Sequence, residues 1–149
     1  MTFLAIATRR EALSRPIVHE AFTELVATAF LLIAVVGSGI MAERLCSGNV
    51  GLALLANAIA TGGALVALIL AFGPQSGAHM NPVVTLAAAA TEGLRWHAVP
   101  AYVAAQITGA ILGVWLAHIM FDLPVWQLSQ HVRTGLPNGL PRLSRRSVC

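Results

Sequence analysis

Asn81-Pro82 brings two residues with defined chemistry into a stretch where polar groups are scarce. Asn is a favoured helix N-cap and Pro a favoured first helical residue, and the position before a Pro is pushed out of the helical region. A helix beginning at Pro82 therefore offers the positive end of its dipole and its unsatisfied N–H groups beside Asn81. Asn81 can cap that helix with its carbonyl oxygen, which leaves its amide free to donate to a passing solute. A neutral molecule carrying an oxygen would be held briefly, whereas a cation would meet the wrong end of a dipole. Pore width, donors and a dipole suffice for selectivity of that kind. The same dipeptide could start an ordinary helix in a buried loop, so its setting decides between the two readings.

That setting is a membrane. The chain has 149 residues, of which 57% are hydrophobic and only 10% charged, and its mean hydropathy is +0.77. A soluble domain carries about a quarter charged residues. Residues 25–42, 45–91 and 96–121 contain no Asp, Glu, Lys or Arg. Since a membrane span needs about 20 apolar residues, the runs predict spans over residues 21–41, 50–72 and 98–120. Gly73-Pro74 is expected to end the second span. What remains of the middle run is a helix over residues 82–91, about 15 Å long and half the ~30 Å hydrocarbon thickness. Irregular backbone at membrane depth survives only when protein buries it or water reaches it. The segment is therefore read as re-entrant, with Gly77, Ala78 and His79 lining a cavity or pore. The fold class expected is an all-α membrane protein with three transmembrane helices plus one re-entrant half-helix.

Charge sets the orientation. Arg9, Arg10 and Arg15 precede the first span, which places the N-terminus in the cytoplasm of a cell (inner) membrane protein. The half-helix then enters from the cytoplasmic side and Arg95 lies at that face. Residues 43–49 lie outside, as do Arg133, Arg142, Arg145 and Arg146, against the positive-inside rule. The net charge of +3 comes from arginines at the ends and in short loops, and it does not point to nucleic acid. Cys46 and Cys149 have no metal or redox spacing. No cofactor, metal or catalytic residue is implied. Gly109 and Gly113 form a GxxxG pattern suited to close helix packing, and Trp115 and His118 read as interface residues.

The segment Ser76-Gly77-Ala78-His79-Met80-Asn81-Pro82-Val83-Val84-Thr85-Leu86 resembles the first signature loop of the major intrinsic proteins, the aquaporins and aquaglyceroporins. Glu24-Leu25-Val26-Ala27-Thr28 is similar to the start of that family's first helix, and Ala105-Gln106-Ile107-Thr108-Gly109-Ala110 to a motif in its third. The three motifs stand in the family's order over roughly residues 20–121. The resemblance implies that Asn81 is a midpore donor, and that Val83, in place of the usual Ala, alters pore width or packing. Pro82, Gly77 and Gln106 would support the pore loop. Glu24 would hold loop backbone as a buried carboxylate, or else snorkel to the interface. His79 would brace the loop or line the cytoplasmic vestibule. Thr61 would occupy a filter position, where its small polar side chain suits glycerol-like or metalloid hydroxide solutes; otherwise it bonds its own backbone.

The family fold, as the resemblance implies it, has two inverted repeats, and only the first is present here. Residues 1–20 are read as a cytoplasmic segment, 21–121 as the first repeat and 122–149 as a disordered extramembrane tail. The Arg-, Pro- and Ser-rich residues 136–146 replace the expected fourth span. This suggests a truncated chain with a reading-frame shift near Gly135, or else a genuine half-length protein. The expected function is passive conduction of water or small neutral solutes across the lipid bilayer, by a homo-oligomer with an inverted copy or by pairing with a complementary half. Two other readings are a non-conducting protein that pairs with a full-length relative through Gly109 and Gly113, and an intramembrane enzyme using Glu24 and His79. The second of these lacks a further carboxylate or nucleophile.

Overall fold

The computed structural model describes residues 16–126. The N-terminal arginines, the tail beyond residue 126 and Cys149 lie outside the described residues. Within them the elements are α1 (Ile17–Leu45), α2 (Val50–Ser76), α3 (Pro82–Thr91), a 3-10 turn (Trp96–Ala98) and α4 (Val99–Met120). The three long helices are long and apolar enough to cross a membrane, and α3 is a shorter apolar helix. α1 lies centrally and packs against both α2 and α4, while α3 packs against α4.

Burial is distributed as a bilayer requires. The buried apolar residues are mostly small, with Ala27, Ala42, Ala88, Ala89, Ala98 and Ala117 among them. Large aliphatic side chains such as Leu54, Leu55, Ile59, Val66 and Leu70 face outward from α2. Water would expel such a surface, but lipid tails are as apolar as Leu, so association depends on close backbone approach and internal hydrogen bonds. Gly109 and Gly113 supply that approach. A Cβ at Gly109 would collide with the Leu25 carbonyl oxygen, and one at Gly113 with the Ala29 carbonyl oxygen. The second would also lie 2.9 Å from Leu32 Cβ and 3.0 Å from Ala29 Cα. The GxxxG face thus packs closely against α1 of the same chain.

The second helix does not stop at Gly73-Pro74. It continues through Pro74 to Ser76 and ends at Gly77, whose φ of 92° is left-handed and whose N–H bonds the Gly73 carbonyl at 2.9 Å. Proline removes one ladder donor and crowds the carbonyl four residues back, which a last turn tolerates better than a helix middle. The left-handed residue reverses the chain. At the other end, α1 includes Glu43 and Arg44 and leaves only residues 46–49 as connection. Arg44 Nη2 donates to the Phe121 carbonyl at 2.7 Å, and Arg44 Cζ sits 5.3 Å from the Phe121 ring centroid, which joins the far ends of α1 and α4.

Gly113→Val should therefore destabilise the fold by on the order of 3 kcal/mol, through overpacking against α1 backbone. Gly63→Ala, where nothing lies within 4 Å of an added Cβ, should be neutral or stabilising by up to about 1 kcal/mol. Denaturant unfolding in lipid micelles would measure both, and equal effects would overturn this packing assignment.

Candidate functional site

The chain between α2 and α3 is costly backbone held in place by one carboxylate. Gly77, Ala78 and Met80 have φ of 92°, 48° and 49°. For a non-glycine residue the left-handed region costs roughly 1–2 kcal/mol. Gly77 also needs its missing side chain, because a Cβ would fall 2.8 Å from His79 Nε2. This conformation points consecutive N–H groups inward. Glu24 Oε1 accepts from Ser76 Oγ at 2.7 Å and from the His79 N–H at 2.8 Å, and Oε2 accepts from the Met80 N–H and from Gln106 Nε2, both at 2.8 Å. Ser76 Oγ in turn accepts from the Ala78 N–H at 3.1 Å.

Glu24 is 0% exposed, and it lies seven residues into α1, roughly 10 Å from the helix start. The structure thus places it as a buried acceptor and not as a snorkelling side chain. Contacts of this length to a carboxylate are the strong class of hydrogen bond. All the Glu24 hydrogen bonds given are to groups that orient backbone and helices.

A second tier sits beneath the carboxylate. Gln106 Nε2 also donates to Thr85 Oγ1 at 2.9 Å, and Thr85 Oγ1 reaches the Asn81 carbonyl at 3.2 Å. His79 Nδ1 lies 3.2 Å from the same hydroxyl, and its ring centroid is 5.5 Å from that of Tyr102. His79 also lines a cavity of about 520 Å³ with Glu20, Glu92, Arg95 and Tyr102. His79 is thus bonded on one nitrogen and faces a cavity. At this mouth Arg95 pairs with Glu20 at 3.4 Å, and Tyr102 Oη donates to the Ser76 carbonyl at 3.0 Å.

These supports aim α3. Asn81 is its N-cap in extended conformation (φ −154°, ψ 127°) and Pro82 its first residue. Asn81 Oδ1 accepts from the Val83 N–H at 2.9 Å, so the cap oxygen is used while the amide Nδ2 remains available. Asn81 and Val83 are both exposed, Val83 at 71%. Thr61 is half-buried on α2 and donates to Asn57 Oδ1 at 3.3 Å, not to its own backbone. Its side-chain hydrogen bond runs along α2 and not to the loop network.

Sequence reasoning missed Ser76, Thr85, Glu20 and Tyr102 as members of this network. A signal existed in the spacing: Glu20 with Glu24, and Tyr102 with Gln106, are four apart, which puts each pair on one face of its helix.

The chain matches the family model for major intrinsic proteins over residues 11–142. It is 53% identical over 112 residues to aquaglyceroporin AqpS of Rhizobium meliloti (strain 1021), covering 75% of this chain and 48% of that relative. It is 37% identical over 110 residues to aquaporin NIP1-1 of Oryza sativa subsp. japonica, covering 74% and 38%. Probable aquaporin NIP7-1 of Arabidopsis thaliana is 41% identical over 87 residues, covering 58% and 30%. The chain thus spans about half or less of the length of these relatives.

Glu24→Gln should loosen the loop, because an amide places a donor where Met80 N–H or Gln106 Nε2 needs an acceptor. The His79 and Met80 amides should exchange with deuterium at least about tenfold faster, the equivalent of one lost net hydrogen bond. Unchanged exchange at those amides would sink the anchoring role.

Proposed function

This chain belongs to the major intrinsic protein family, and on that footing we propose that it supplies one half of a passive conduit for water or small neutral solutes. It is a multi-pass membrane protein built around α1, α2 and α4. The observation that carries the proposal is Asn81, at the exposed N-terminus of the ten-residue α3, with its cap oxygen spent and its amide donors unspent. The positive end of the α3 dipole beside it favours oxygen atoms and disfavours cations. Glycerol-like and metalloid hydroxide solutes fit this reading, with Thr61 and Val83 helping to set width and His79 at the cytoplasmic vestibule. One relative's name, aquaglyceroporin, agrees with it.

Glu24, Gln106, Gly77 and Pro82 serve as supports of the pore loop, while Gly109 and Gly113 hold α4 to α1. The residues between 21 and 121 act as a first repeat, with the N-terminus cytoplasmic in a cell (inner) membrane and α3 entering from the Arg95 face. Asn81 and the start of α3 then require a facing surface, supplied by a complementary half or by an inverted second copy. Left alone in hydrocarbon, each unsatisfied polar group costs several kcal/mol.

The chain should be reconstituted in vesicles by itself and together with the C-terminal half of a full-length relative, and swelling followed by stopped flow under water and glycerol gradients. Permeability above empty vesicles is expected in at least one preparation. Asn81→Asp keeps the cap oxygen but removes the amide donors and adds negative charge, and it should cut flux of both by about tenfold, the loss of one good hydrogen bond. No permeability in either preparation, with protein correctly inserted, would overturn the reading.

A further inference from the structure

One side chain of α4 stands between the charged mouth and the pore loop. Tyr102 is 1% exposed, and its phenol has a single proton with two acceptors in reach. The Ser76 carbonyl lies 3.0 Å from Tyr102 Oη, and Glu20 Oε2 lies 3.4 Å from it. Only the first distance falls in the usual range of an O–H···O bond. The proton therefore rests on Ser76, although a carboxylate is ordinarily the stronger acceptor.

Arg95 is what weakens Glu20 as an acceptor. Its guanidinium sits 3.4 Å from the same Oε2 atom, so phenol and guanidinium share one oxygen. Glu20 is 6% exposed, whereas the Arg95 side chain is 30% exposed and lines the mouth cavity. A long, partly solvated ion pair is weak, and salt or a competing anion can part it.

The other acceptor is the point from which the loop departs. Ser76 is the last residue of α2, and its carbonyl is among the four that a helix cannot satisfy by itself. Its hydroxyl donates to Glu24 and accepts from the Ala78 N–H. Tyr102 thus fastens from α4 the residue on which the start of the loop depends.

We propose that Tyr102 is a positioning residue that relays the state of the Arg95–Glu20 pair to the pore loop. With the pair closed, the phenol proton holds the Ser76 carbonyl. With the pair parted, the proton turns to the freed Glu20 carboxylate, and the end of α2 loses its donor from α4. These are two discrete arrangements of one hydroxyl, the kind of element through which two sites can be coupled. The two halves of one ion pair should then act with opposite sign. Loss of Arg95 frees the competing acceptor, while loss of the Glu20 charge removes it. An ion pair that only braces the fold would loosen the loop equally from either side.

Deuterium exchange at the His79 and Met80 amides of the full chain in lipid micelles tests this, and the readout is independent of conduction. Arg95→Gln should speed exchange about tenfold, the equivalent of one net hydrogen bond. Glu20→Gln, which keeps the side-chain shape, should leave exchange unchanged or slower. Tyr102→Phe keeps the ring beside His79 and should by itself speed exchange about tenfold. Arg95→Gln added to Tyr102→Phe should then change exchange by less than about twofold, the scatter of independent sites. Faster exchange in Glu20→Gln, no change in Arg95→Gln, or a roughly hundredfold additive effect in the double variant would each overturn the relay.

Discussion

Backbone inside a bilayer must find its hydrogen bonds within the protein, and here that demand converges on the Glu24 carboxylate. Ser76 from the end of α2, His79 and Met80 from the loop and Gln106 from α4 all donate to it. A burial this complete is expensive for a charge unless its lone pairs are filled. The cost is offset by donors that themselves had nowhere else to go. The loop residues reach their left-handed conformations because those conformations bring the N–H groups to the carboxylate, and the carboxylate is tolerated because they do. Removing either side leaves the other stranded, so the irregular segment and the buried acid are one structural unit.

The same logic explains why α1 is the hub. It contributes Glu24 to the loop, Glu20 to the Arg95 mouth, Ser38 to Asn57 of α2 and a bare strip of backbone to Gly109 and Gly113. Its mating surfaces are polar or small, whereas α2 keeps its bulky aliphatic residues outside. Polar specificity at points and small residues along stripes are the two adhesives available when hydrophobic burial gives no advantage.

Much of this was legible from residue types. Long uncharged runs announced the membrane, and Asn81-Pro82 announced a helix start because capping and proline geometry are local properties. Gly77 was singled out as lining a cavity and, through the resemblance, as a support of the pore loop, but its left-handed turn was not foreseen. The extension of α2 through Pro74 was less legible, since a proline near a helix end removes little and the decisive turn came from the left-handed residue that follows. The Ser38–Asn57 contact and the Arg95–Glu20 pair had no local signature at all. Each depends on the rotation of one helix against another, which is set by the small-residue contacts of α1 and not by any period in either sequence. Thr61 stood out only through family resemblance; its partner Asn57, four residues earlier on the same helix face, had a signal in that spacing that was not used.

The reach of Glu24 also bears on how the chain is made. Its contact with Gln106 spans 82 residues of sequence. At ribosomal rates of about 5–20 residues per second, α4 emerges on the order of ten seconds after α1. Through that interval the acid lacks the Gln106 donor. The set of donors around the acid is therefore complete only once the third long helix is in place, so the earliest segment is among the last to reach its final surroundings.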